Sequence, residues 1–143
     1  MMDIVLGAVL GVLAFLLGQY VIRMILDPLA RLRRTTAQIS LCLLSNRSKL
    51  ANCRQNEALA AELRRLAGEL VSGVNEVLHY DLALRFRLAG FTREEALEAA
   101  QELNLIASNF AADSTPNGSG DNVKSAARIG RLLRIPTSYS GKP

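Results

Sequence analysis

The sequence predicts an all-α protein: one N-terminal transmembrane helix followed by a cytosolic helical domain, assembled as a symmetric homo-oligomer. Three observations carry this. From Ile4 to Ile22 the run IVLGAVLGVLAFLLGQYVI contains no charge and one strongly polar group, Gln19. Past residue 30 the apolar residues recur at spacings of three and four, the period of one helix face, with no strand-like alternation. Small residues recur inside the apolar run at the same period, which lets like helices approach closely in lipid. At 143 residues there is room for one anchor and one small soluble unit. The expected division is a transmembrane helix at 1–26, a cytosolic helical domain at 27–112, a flexible linker at 113–123 and a basic amphipathic segment at 124–143.

The apolar run is long enough, at about 20 residues, to cross a hydrocarbon core of roughly 30 Å. Tyr20 lies near one end, where an aromatic ring suits the headgroups. Arg23 follows, with a stem long enough to snorkel. A cleaved signal peptide is disfavoured, because only Met1, Met2 and Asp3 precede the run and no small-x-small cleavage site follows it. Arg23, Arg31, Arg33 and Arg34 lie after the span and Asp3 lies before it. The excess of basic residues on one side places the N-terminus outside and the following domain in the cytoplasm. Gly7, Gly11, Ala14 and Gly18 share one stripe, and four residues before Gly7 the same stripe reaches Asp3. The stripe has two readings: it packs helices together, or several copies surround an axis so that it lines a narrow pore with a ring of Asp3 at the mouth.

Asp27-Pro28 reads as an N-cap and a proline at the first helical position, starting a new helix or kinking the one from the membrane. Leu29, Leu32, Thr36, Ile39 and Leu43 then form one face, with Arg31, Arg33 and Arg34 under the bilayer as an anchor for anionic lipid. Ser45-Asn46-Arg47-Ser48 reads as a break. The stripe Leu59, Leu63, Leu66, Leu70, Val74, Val77 predicts a long amphipathic helix, in which Gly68 and Gly73 permit close packing. His79 and Tyr80 fall near its end, and Gly90 fits a helix C-cap. Thr92 and Glu95 form a capping box, with Phe91 and Ala96 placed for a hydrophobic staple. The helix they open should run to about Asn109 and bury Leu97, Ala100, Leu103 (or Asn104), Ile106 and Phe110.

DSTPNGSGDN at 113–122 has linker composition. After it, KSAARIGRLLRIP predicts a short helix ended by Pro136, with Arg128, Arg131 and Arg134 three apart. Such a basic amphipathic segment suits an anionic ligand, a membrane surface or docking on a neighbouring protomer.

No phosphate-binding glycine loop, metal-ligand cluster or nucleophile with an adjacent base is present, so the residues give no enzyme signature and imply no cofactor. Cys42 and Cys53 with one distant histidine do not make a zinc site, and in a cytosolic domain both thiols should stay reduced. The remaining function classes are an oligomeric channel or pore effector gated by an anionic ligand, and a membrane-tethered scaffold or adaptor that binds a protein through its leucine stripe. A lytic membrane protein is disfavoured by more than a hundred residues of patterned helix.

The stretch LGQYVIRMILDPLARLRR, a membrane helix running into an apolar-basic helix, resembles small single-pass bacterial proteins found beside defence genes, and specifically the membrane channel subunit of the Hailong anti-phage system. The resemblance is architectural and spans most of the chain. It implies an inner-membrane assembly closed at rest and opened during infection, and a nucleotidyltransferase partner that makes a restraining oligonucleotide. It also implies that Asp3 contributes to closure at the pore's N-terminal end and that basic cytosolic residues meet the oligonucleotide or nucleotide signal.

Overall fold

The computed structural model describes residues 2–52, 55–77, 90–111 and 118–138, and among these every regular element is helical. Helix α1 (Met2–Val21) continues through a π-helical turn (Ile22–Leu26) into α2 (Asp27–Ser45), forming a single rod. The remaining elements are α3 (Arg47–Asn52), α4 (Glu57–Glu76), α5 (Arg93–Ala111) and α6 (Gly118–Leu133).

Of the two outcomes expected at Asp27-Pro28, a new N-cap and a perturbed continuation of the first helix, the junction between α1 and α2 takes the second. Asp27 is itself helical, with φ −63° and ψ −51°, and its N–H donates to the Ile22 carbonyl five residues back. Proline explains this. Pro28 has no N–H, and in an α-helix its ring would collide with the carbonyl four residues earlier. A turn widened by one residue relieves the crowding while the helix carries on.

The 20 residues of α1 span about 30 Å at 1.5 Å per residue, enough to cross a bilayer. No part of this apolar stretch is buried within the chain. Below it, α2 packs on α4, α4 on α5 and α5 on α6, while α6 closes back on α3 and α2. The expected faces of α2 and α4 line the core: Leu32, Ile39, Leu43, Leu63, Leu66 and Leu70 are almost wholly excluded from solvent. Gly73 has a specific packing role, since a Cβ there would stand 3.2 Å from Leu32 Cδ1. Gly68 does not, because nothing lies within 4 Å of such an atom.

Local signals set most boundaries. α2 ends at Asn46, whose Nδ2 and backbone N–H both donate to the Cys42 carbonyl. Asn56 caps α4 by accepting the Leu59 N–H at 3.0 Å. Its own N–H donates to the Phe110 carbonyl, joining the start of α4 to the end of α5. At the start of α5 the capping box is complete: Thr92 Oγ1 accepts the Glu95 N–H at 3.1 Å, and Glu95 Oε2 accepts the Thr92 N–H at 2.5 Å. Phe91 and Ala96 are both buried, as a staple requires. Leu97 is a correction: it is exposed, and so is Asn104, because Ala96, Ala99 and Ala107 share the buried face with Ala100, Leu103, Ile106 and Phe110. The readings at His79 and Tyr80, and the helix that Gly90 would cap, lie outside the described residues.

The expected linker is shorter than its composition suggests. α6 begins at Gly118, so residues 118–122 are helical, while 113–117 lie outside the described residues. The helix starts early because Asn122 belongs to its buried face with Ala126, Ile129 and Leu133, spaced four, three and four apart. Asn122 is fully buried and accepts a 2.8 Å hydrogen bond from Asn109 Nδ2. This polar contact ties α6 to α5 without leaving an unsatisfied group.

A candidate membrane-spanning helix and its basic surfaces

The side chains singled out by the sequence fall into three places. Gly7, Gly11, Ala14 and Gly18 lie along one face of α1, all exposed. A methyl group added at Gly7, Gly11 or Gly18 would meet nothing of its own chain within 4 Å. The backbone of Asp3 belongs to α1, in the turn before Gly7. This stripe is smooth and uncovered, a surface that another helix can approach closely.

The second group lies along the rod just past the span. Arg23 occupies the π turn, and Arg31, Arg33 and Arg34 lie in the first turns of α2. Arg31 reaches Glu76 at the end of α4, 3.8 Å away, across an exposed surface. Arg23 and Arg34 have no carboxylate partner among the described residues. The contact of Arg31 with Glu76 places the end of α4 beside the start of α2. Arg93 Nη2 donates to Asn75 Oδ1 at 2.6 Å, which brings the start of α5 to the same end of the bundle.

The third group is divided. Arg128 is held against α5 by two carboxylates, Glu98 and Glu102, the latter at 3.1 Å and largely buried. Arg131 and Arg134 point outward, with no carboxylate partner among the described residues. The basic segment therefore docks first on its own chain. Its end is a Schellman turn: Arg134 takes the left-handed conformation, φ 55°, and the Ile135 N–H donates to the Gly130 carbonyl at 3.0 Å. Gly130 is required here, since a Cβ would fall 2.7 Å from Thr137 Oγ1. Ser40 on α2 donates to the Pro136 carbonyl at 2.5 Å, fastening the turn to the rod.

These closures were hard to anticipate. The pairing of Arg128 had a signal, because Glu98 and Glu102 stand one helical turn apart and form a clamp on one face. Ser40, Gly130 and the Asn109–Asn122 pair carried no local signal, since their partners are set by the tertiary fold.

The surface chemistry elsewhere is that of a solvated bundle. Arg65 bridges Glu62, at 2.7 Å, and Glu69 along one face of α4. The hydrogen bond from Arg65 holds the Glu62 carboxyl below its usual range, and the same bond raises the Arg65 guanidinium further. Cys42 is half-buried, and its thiol is pushed up mainly by burial and secondarily by the Glu62 carboxylate. That environment suppresses the thiolate, the reactive form. A polar recess between α3 and the start of α4 is lined by Ser48, Lys49, Asn52, Gln55 and Asn56. Among the described residues no three His, Cys, Asp or Glu side chains converge in a way that could hold a metal ion.

No family model matches the chain, and comparison with curated proteins and with solved structures gives no match.

Proposed function

We propose that this chain is the subunit of an oligomeric membrane ion channel, a pore effector gated by an anionic ligand in bacterial anti-phage defence. The observation that carries the reading is the contrast at α1: a span-length apolar helix with no burial in its own chain bears a stripe of small residues that nothing covers. Lipid tails fit a bulky helix surface as readily as a smooth one, whereas a line of glycines favours another helix at short range. Copies arranged around an axis through that stripe would carry Asp3 at the outer mouth. The cytoplasmic bundles would hang below, and their exposed cations, Arg34, Arg131 and Arg134 among them, would meet an oligonucleotide or nucleotide signal. Such a signal implies a nucleotidyltransferase as its source. The charge asymmetry about the span supports an inner-membrane location with the N-terminus outside.

A second reading, a membrane-tethered adaptor, is favoured by the bundle itself. Among the described residues four long helices enclose a core, and much of the surface charge is paired within the chain.

Ion flux across liposomes separates the two. Purified protein shown to be inserted should conduct, and conduction should change when oligonucleotide is added; Asp3→Ala should alter the leak. Absence of flux under every condition would leave the adaptor.

A further inference from the structure

We infer that the interface between copies does not end at the membrane surface: the π turn aligns the α1 stripe with an exposed face of α2, and a second copy of this chain covers both. This rests on the self-association proposed above and extends it into water.

Helical register decides the alignment. Gly18 and Ala30 are twelve residues apart, 30 − 18. An uninterrupted α-helix turns about 100° per residue, so Ala30 would lie about 120° away from the stripe. The stripe would then run onto the face of α2 that carries Leu29, Leu32 and Leu43, which is already buried against the rest of the bundle. The π turn adds one residue to a single turn and takes back about 100° of this rotation. The stripe instead continues into Ile22, Leu26, Ala30, Ala37 and Leu41, all exposed. Half-buried Ile25 falls toward the bundle, as the same register requires.

Leu41 is the second observation. It is 68 % exposed, while the exposed large apolar side chains of α5 and α6 range from 38 to 47 %. It sits about 22 Å past Leu26 along the rod, at 1.5 Å per residue, well below the bilayer. Lipid can cover Gly7 to Gly18 but cannot cover Ala37 and Leu41. A chain that covers the whole line must be apolar and small-faced in the membrane and remain helical into the cytoplasm at the same height. The bilayer holds every copy of this protein parallel and at one depth, so a second copy meets those conditions along its full length. Arg34 lies on the same line, and its aliphatic stem can pack beside the neighbour while the guanidinium reaches solvent.

Cysteine cross-linking in native membranes tests this. In a Cys42→Ser, Cys53→Ser background, Ala14→Cys reports on the span, Ala37→Cys on the proposed cytoplasmic face and Gln38→Cys on the adjacent face at the same height. All three positions are exposed, so the substitutions leave the core untouched. A disulfide needs Cα atoms within about 7 Å, which only facing positions satisfy. The expected result is dimer formation at Ala14→Cys and at Ala37→Cys, the latter several-fold above Gln38→Cys. Cross-linking at Ala14→Cys with Ala37→Cys no better than Gln38→Cys would overturn the inference and leave the span assembly standing. No cross-linking at either Ala14→Cys or Ala37→Cys would overturn both.

Discussion

α1 and α4 have the same length, 20 residues each, and are both rich in leucine, yet they solve opposite problems. In α4, the leucines are confined to the face of Leu59, Leu63, Leu66 and Leu70, and charged residues lie mainly on the other faces. In α1, apolar side chains point in all directions and the only pattern is one of size, with small residues on one side and Leu, Val and Phe elsewhere. The contrast separates two kinds of information. Polarity periodicity says which side of a helix faces the protein in water. Size periodicity says which side faces protein in lipid, where hydrophobicity no longer discriminates.

The sharpest way to break the contrast is to truncate a leucine in each helix. Leu66 is fully buried, so Leu66→Ala should cost the bundle about 2–5 kcal/mol through lost transfer energy and a residual cavity. Leu16 is exposed on α1, and Leu16→Ala should leave the unfolding of the bundle unchanged. Denaturant titration in mild detergent, followed by circular dichroism, measures both. Equal effects would mean that α1 packs against its own bundle.

Glycines sharpen the same contrast within α4. At Gly73 a side chain must enter the space of Leu32, so Gly73→Val should destabilise by about 1–3 kcal/mol, the usual cost of overpacking. Gly68 faces open space, and Gly68→Ala should stabilise by about 0.5–1 kcal/mol through helix propensity alone. Opposite signs at two glycines five residues apart, read as shifts of the denaturation midpoint, would establish that helix contact decides the outcome.

Much of the fold was legible because its determinants are local. The stripes of α2 and α4, the Thr92–Glu95 capping box and the length of the span are properties of short windows, and the structure realises each. The linker reading failed at Gly118 because composition outweighed pattern. Glycine, serine and asparagine mark a flexible segment in isolation, but Asn122 finds a buried partner in Asn109, and that contact carries the helix backward through GSGD. The Asp27-Pro28 reading left a new helix and a perturbed continuation open, and the structure takes the continuation. A cap and a widened turn are both ways to accommodate a proline, and the choice between them depends on whether the helix before it is stable enough to continue. For the candidate surface, the residues of the α1 stripe were legible, but its alignment with Ala37 and Leu41 was not, since one extra residue in a turn reverses the answer, and Pro28 marks that the helix must adjust there without specifying a widened turn.

The smallest expected effect concerns pH and belongs to the bundle alone. Glu62 is partly exposed and its carboxyl lies below the ordinary glutamate value of 4.5, chiefly because Arg65 hydrogen-bonds it. A carboxyl depressed in the folded state stabilises above its unfolded value, and that contribution is lost as pH falls through the folded one. The stability of the bundle should therefore decline slightly on acidification below about 4.5, and Glu62→Gln should flatten that part of the profile. Because the pair is solvated, the change should be small and should shrink further in high salt. The apolar stretch from Ile4 to Ile22 offers no comparable contribution, since it contains no Asp, Glu, Lys, Arg or His, so once Asp3 at the end of the stripe is replaced by Asn, association through the stripe should be indifferent to pH over the same range. Oligomer mass measured in detergent across that window would check the second half of the claim. Dissociation in step with the titration of Glu62 would mean that copies contact one another through the outer face of α4 rather than through the rod.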